Sequence, residues 1–149
     1  MEYVKFMILL LLIVVCDSSC PSTWYTIPGN RCIKVIKTGL VVRENLDSTM
    51  CEKYTIGTKV ASYFSVTSPN EFAILDKFKS WIYFVYLDWN YVGSTYYYNN
   101  GSMVDIHEYS LEDDTDRGGG NCVVVNLVEK EVDASCLSFE VGYVCEIKL

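Results

Sequence analysis

Basic residues are scarce in this chain: 12 lysines and arginines stand against 19 acids, a formal net charge of -7 at pH 7. A surface of that sign repels phosphate backbones and anionic headgroups, which excludes nucleic acid and anionic membrane as partners. Histidine is scarcer still, with His107 alone. No second imidazole exists for a metal site, and no nucleophile, base and orienter can be assembled around it, so it reads as a surface residue and the chain as no enzyme. The longest apolar run, Phe6 to Val15, has ten residues, where a membrane-spanning helix needs about 20. Cys-x-x-Cys is missing, and from Cys20 onward the closest cysteine spacings leave eight, eleven or thirteen residues between them, which speaks against zinc. No repeat or low-complexity linker divides the chain.

What is present starts with a leader. Lys5, the apolar run and the small polar exit Cys16-Asp17-Ser18-Ser19 follow the plan of a secretory signal peptide. Small residues at the two positions read for cleavage favour a cut after Ser18. The expected division is therefore a signal peptide over 1–18 and one secreted, extracellular domain over 19–149. Glu2, Asp17 and Lys5 leave with the leader, so two acids and one base come off the charge of -7 and -6 remains. About 130 residues suffice for one real core. Cys20, Cys32, Cys51, Cys122, Cys136 and Cys145 stay, and an even set in an exported domain reads as three disulfides. Six cysteines allow fifteen pairings, among which spacing does not choose.

Along the exported chain, Trp24 to Ile27 and Arg31 to Ile36 are β-rich and flank Pro28-Gly29-Asn30, a hairpin turn sequence. Val42, Leu46, Met50 and Tyr54 recur every four positions and predict a first helix over Val42 to Tyr54, ended before Gly57. Ser68-Pro69-Asn70-Glu71 predicts a second helix start, with Ser68 as cap, Pro69 at the first position and Glu71 reaching back as the other half of a capping box. Phe72, Leu75 and Phe78 give that helix its buried stripe. Trp81 to Leu87, Cys122 to Val128 and Gly142 to Ile147 read as strands. Asp88 to Asn121 shows little regular signal, and a loop of that length in a compact domain is usually functional. Within it Tyr96-Tyr97-Tyr98 offers stacking faces or an inward-packing strand, and Asn100-Gly101-Ser102 is a glycosylation sequon at Asn100 on an expected turn.

The ordered set Cys51, Gly57, Val60-Ala61, Glu71, Trp81-Ile82-Tyr83-Phe84, Asn100-Gly101-Ser102, Asn121-Cys122-Val123, Cys136 and Val144-Cys145-Glu146 resembles the C-type lectin-like domain, over Cys20 to Glu146. The resemblance implies an α+β fold, with two helices flanking small antiparallel sheets and a long loop region. It also implies one disulfide connectivity of the long form: Cys20 with Cys32, Cys51 with Cys145, Cys122 with Cys136. As partner it implies a glycan or glycoconjugate held by the long loop, or a protein ligand where the sugar site has degenerated.

In sugar-binding members of this family a calcium ion in the long loop coordinates sugar hydroxyls, and calcium takes six to eight oxygens. The family's Glu-Pro-Asn triplet falls on Glu112-Asp113-Asp114, its next glutamate on Gly120, and its Trp-Asn-Asp segment on Glu131-Val132-Asp133. The resemblance thus implies Glu112, Asp114 and Asp133 as calcium ligands, three of the five side chains of the full set. Asp113 removes the proline, and Gly120 and Val132 contribute no side-chain oxygen. Glu108, Glu112, Asp113, Asp114 and Asp116 equally read as a solvated charge run.

Overall fold

The computed structural model describes residues 19–40, 49–114, 122–134 and 140–149. The expected signal peptide, the helix residues from Val42 to Ser48, Gly120 and Cys136 lie outside them.

The hairpin forms where the turn sequence put it. Strand β1 (Tyr25–Ile27) runs antiparallel to β2 (Arg31–Leu40), Thr26 opposite Cys32. Gly29 and Asn30 turn the chain at φ of 84° and 53°, a left-handed conformation free to glycine and tolerated by asparagine. A Cys20–Cys32 disulfide ties the preceding segment to β2.

Strand β2 then enters an eight-stranded sheet. Two more strands come first in the chain, the short β3 (Ser62–Tyr63) and β4 (Phe84–Leu87). A separate hairpin of β5 (Asn90–Val92) and β6 (Thr95–Tyr97) follows. Then come β7 (Glu112–Asp113), β8 (Val123–Asn126), β9 (Glu131–Asp133) and β10 (Glu140–Lys148). The sheet order is β1-β2-β10-β4-β8-β9-β7, with β3 added to β10. Antiparallel pairing prevails, but β10 meets β4, and β7 meets β9, in parallel. Apolar side chains fill both faces, which is why β8 reads as an unbroken valine run. Ile33, Phe72, Leu75, Val85 and Val125 belong to one cluster; Cys32, Ala61, Tyr143 and Ile147 belong to the other. The second cluster also holds the Cys51–Cys145 disulfide, which spans 94 residues.

Three expectations change. The strand expected from Trp81 begins at Phe84, because the N–H groups of Trp81 and Ile82 donate to the Phe78 carbonyl (2.8 and 3.0 Å) and prolong the helix exit. Trp81 is left 46 % exposed. Of the first helix, the described part is a turn of 3-10 helix, Glu52–Tyr54, with Tyr54 donating to the Cys51 carbonyl three residues back. The stretch from Asp88 is not structureless up to Asp114. Gly93 and Ser94, both at positive φ, form the two-residue loop joining β5 to β6, the turn whose twist suits paired strands. A second 3-10 turn, Ile106–Tyr109, leads to β7.

Helix α1 (Pro69–Asp76) starts as predicted, with Ser68 accepting from the Glu71 N–H at 3.4 Å and Pro69 in the first position. Its stripe buries Phe72 and Leu75, while Phe78 lies beyond the helix end and packs on the core from outside. The box partner differs: Glu71 Oε2 accepts from the N–H and hydroxyl of Thr67, both 2.9 Å, not from Ser68. Its Oε1 accepts from Arg31 Nη1 at 3.0 Å, and Arg31 also faces Glu146 Oε2 at 3.4 Å. Burial pushes the Glu71 carboxyl up, but the Thr67 and Arg31 hydrogen bonds outweigh it and hold the carboxyl below its usual range. Burial pushes the Glu146 carboxyl up, against the pull of Arg31 and Lys148.

The two carboxylates therefore act in opposite senses. Glu71 stabilises the fold above its unfolded value of 4.5 and loses that effect as pH falls through its lower folded value. Glu146 favours the fold below 4.5 and loses that effect as pH rises through its higher folded value. Glu71→Gln is expected to cost about 2 kcal/mol at pH 7, as charged hydrogen bonds do. It should also flatten the stability loss as pH falls below 4.5, both read from urea melts at neutral and acid pH.

Candidate ligand-binding site

The acids of the long loop meet those near the C-terminus through β7. Parallel pairing sets Glu112 beside Glu131 and Asp113 beside Val132. It continues at Asp114, whose N–H donates to the Val132 carbonyl at 2.9 Å, bringing Asp114 next to Asp133. Strand alternation sends Val132 into the core and leaves Glu131 and Asp133 half-buried on the opposite face. Glu112, Asp114 and Asp133 thus lie along one strand pair. Asp113 does something else: its Oδ1 accepts from the Tyr96 hydroxyl at 2.7 Å. Burial, then this bond, pushes the Tyr96 hydroxyl pKa far up. Tyr96 is the inward tyrosine of the triple run, buried at 4 % exposure.

An aromatic floor lies under this edge. Buried Trp89 donates from Nε1 to the Val66 carbonyl at 2.8 Å and meets the rings of Tyr109 and Tyr98 at 5.1 and 5.9 Å. The Tyr98 and Tyr109 hydroxyls are 2.6 Å apart. Burial, followed by that contact, raises the Tyr109 hydroxyl pKa. Beside the floor opens a cleft of about 300 Å³ lined among others by Phe72, Asp76, Glu108, Tyr109, Ser110 and Lys130. Lys130 pairs with Asp76, stands 5.2 Å over the Phe72 ring, and offers its carbonyl to the Glu112 N–H at 2.9 Å. Lys130 therefore links the cleft to the start of the acidic strand pair.

The remaining site expectations fall as follows. His107 is exposed on the second 3-10 turn, its N–H donating to the capping carboxylate of Asp105 at 3.0 Å. Asn100 is exposed. Cys122 is disulfide-bonded, and its implied partner Cys136 lies outside the described residues. Sequence reasoning missed the Tyr96–Asp113 bond, the Lys130 cleft and a relay in which Asn90 donates to Asn99 (3.0 Å) and Asn99 to Asp88 (3.1 Å). Burial raises the Asp88 carboxyl against the hydrogen bonds it accepts. Only the Gly-Ser turn before Tyr96 carried a sequence signal for any of these, since it fixes which tyrosine points inward.

No family model and no curated relative matches the sequence. Solved structures do. The C-type lectin CEL-I from Cucumaria echinata matches with a TM-score of 0.57 at 18 % identity, over 87 % of this chain and 98 % of its own. Human lithostathine matches at 0.57 and 13 % identity, over 90 % and 94 %. The chain has the C-type lectin-like fold. A third neighbour, the mouse scavenger receptor C-type lectin carbohydrate-recognition domain, matches this lectin-like domain at 0.55 and 14 % identity, over 88 % and 100 %.

Calcium needs converging oxygens, and the described residues bring few together. Val132 is in the core and Asp113 is engaged by Tyr96. Among the described residues no three Asp, Glu, His or Cys side chains come together to hold a metal. The described donors do not build a calcium centre. No described helix is long and apolar enough to cross a membrane.

Proposed function

We propose that this lectin-like domain is a secreted recognition protein that binds carbohydrate or glycoconjugate through the long loop region, without a resident calcium ion. The observation that carries the reading is the parallel pairing of β7 with β9, which sets Glu112, Asp114 and Asp133 along one strand pair whose Glu112 N–H donates to the carbonyl of Lys130, a residue of the cleft. Carboxylates on such an edge accept hydrogen bonds from sugar hydroxyls, and the half-open cleft with Lys130 and Ser110 adds donors. In this reading the acids hold the sugar directly, where the family's full set would hold it through a metal.

A glycan array probed with and without chelator tests this. Signal that survives chelator, and falls about tenfold or more in Asp114→Ala or Asp133→Ala, is the expected result. Calorimetric calcium heat that disappears in the same two variants would instead restore a calcium-bridged site.

The commitment of Asp113 to Tyr96 and of Val132 to the core favours a second reading. In it the sugar machinery has been absorbed into the fold and the same edge binds a protein ligand. A folded domain that gives an empty array in both conditions supports this second reading over the first.

A further inference from the structure

The sequence holds one sequon, Asn100-Gly101-Ser102, and the structure presents it on an exposed turn. The Gly101 N–H donates to the Tyr98 carbonyl and the Tyr98 N–H to the Ser102 carbonyl, both at 2.9 Å. Gly101 sits at φ 84°, where a side chain would be strained. Asn100 Oδ1 accepts from the Ser102 N–H at 2.9 Å and from the Ser102 hydroxyl at 2.6 Å. The carboxamide oxygen is thereby turned to Ser102, and Nδ2 makes no hydrogen bond among the described residues. Nearby Asn90 and Asn99 differ, because both donate from Nδ2 within the relay to Asp88.

The turn also borders an apolar surface. With Tyr96 pointing inward, alternation places Thr95 and Tyr97 outward on β6, and Asn90 and Val92 outward on the facing β5. Met103 bridges Tyr97 directly across the turn. Val92 and Met103 are 63 % and 70 % exposed, beside a half-buried Tyr97.

We propose that Asn100 is N-glycosylated and that the first sugars of its glycan lie over the outward face formed by Val92, Tyr97 and Met103. The donor class is a polyprenyl-diphosphate-linked oligosaccharide of the secretory pathway. Nδ2 forms a bond to the sugar C1, the C1–O bond to the diphosphate breaks, the lipid diphosphate leaves with that electron pair, and the amide gives up one proton. Tethering sets a high local concentration of sugar at this face, and the C–H faces of a pyranose suit tyrosine, valine and methionine surface. The glycan withdraws the hairpin face from ligand contact and leaves the β7–β9 edge open. The inference rests on the export reading, not on what the domain binds.

The full chain, secreted by a eukaryotic host from its own leader and, in parallel, from a host leader replacing residues 1–18, gives the test by intact mass. The expected result is a mass increment that peptide:N-glycanase removes, absent from Asn100→Gln and Ser102→Ala and kept in Ser102→Thr. An unmodified product from the host leader would overturn the site. An increment with the host leader alone would uphold the site and overturn export by residues 1–18. Native glycanase treatment then reads the covering. Emission of a hydrophobic dye is expected to rise about twofold or more, and not in Val92→Thr/Met103→Ser; unchanged emission in the parent chain would overturn the covering.

Discussion

Protein carrying Cys51→Ser with Cys145→Ser is expected to lose about 4 to 5 kcal/mol, read as a fall in the urea midpoint at unchanged pH. The bridge closes a loop with a sequence separation of 94, and the chain-entropy model assigns roughly that much to such a loop. Domains of this size have about 5 to 15 kcal/mol in total, so the variant sits near the unfolding threshold at 37 °C. Cys20→Ser with Cys32→Ser opens a separation of 12 and is expected to cost about 3 kcal/mol. Both losses act on the unfolded chain as well as on the packing of buried Cys32, Cys51 and Cys145. An equal effect from the two pairs would mean that local packing, not loop closure, governs them.

Trp89→Ala is the second large effect, about 3 to 5 kcal/mol for a buried aromatic. It removes the ring that Tyr98 and Tyr109 pack against and the Nε1 donor to Val66. Trp89→Phe separates the two contributions. It keeps most of the ring contact and leaves the Val66 carbonyl without its donor, at about 1 to 2 kcal/mol. Because Trp89 packs against Tyr109, which lines the Lys130 cleft, the alanine variant should also weaken array binding where the protein remains folded. Ligand binding that survives a fully disrupted floor would move the site elsewhere.

How far the sequence can be read depends on the range of the interactions involved. The Pro28-Gly29-Asn30 turn and the Ser68-Pro69 helix start are decided within four or five residues, and both form as read. Where the decisive partner is remote, composition misleads. Trp81-Ile82-Tyr83 has the aromatic and β-branched character of a strand, yet the Phe78 carbonyl takes two of its donors and the strand waits until Phe84. Glu112-Asp113 has no strand propensity and becomes β7 only because β9, eighteen residues on, lends it an edge. For the site, the resemblance singled out Glu112, Asp114 and Asp133, and the strand pairing that sets them side by side came from the fold. It did not foresee that Asp113 would bond Tyr96, since a hydroxyl seventeen positions away leaves no local trace.

Strand β10 is the last of the described strands and the neighbour of β2, β3 and β4. It also brings the Leu149 N–H to the Asn30 carbonyl at 2.8 Å. In a nascent chain emerging N-terminus first, the residues of the β1–β2 hairpin, helix α1, β4 and β8 therefore precede the strand that joins them. Until then β2 and β4 hold unpaired edges and Cys51 has no native partner. Such open edges are sticky. The sheet is thus completed only once residues 140–149 have been made, and shielding of the half-made sheet together with a thiol-disulfide exchange catalyst is expected to raise yield more than a stabilising change in the helix or the hairpin.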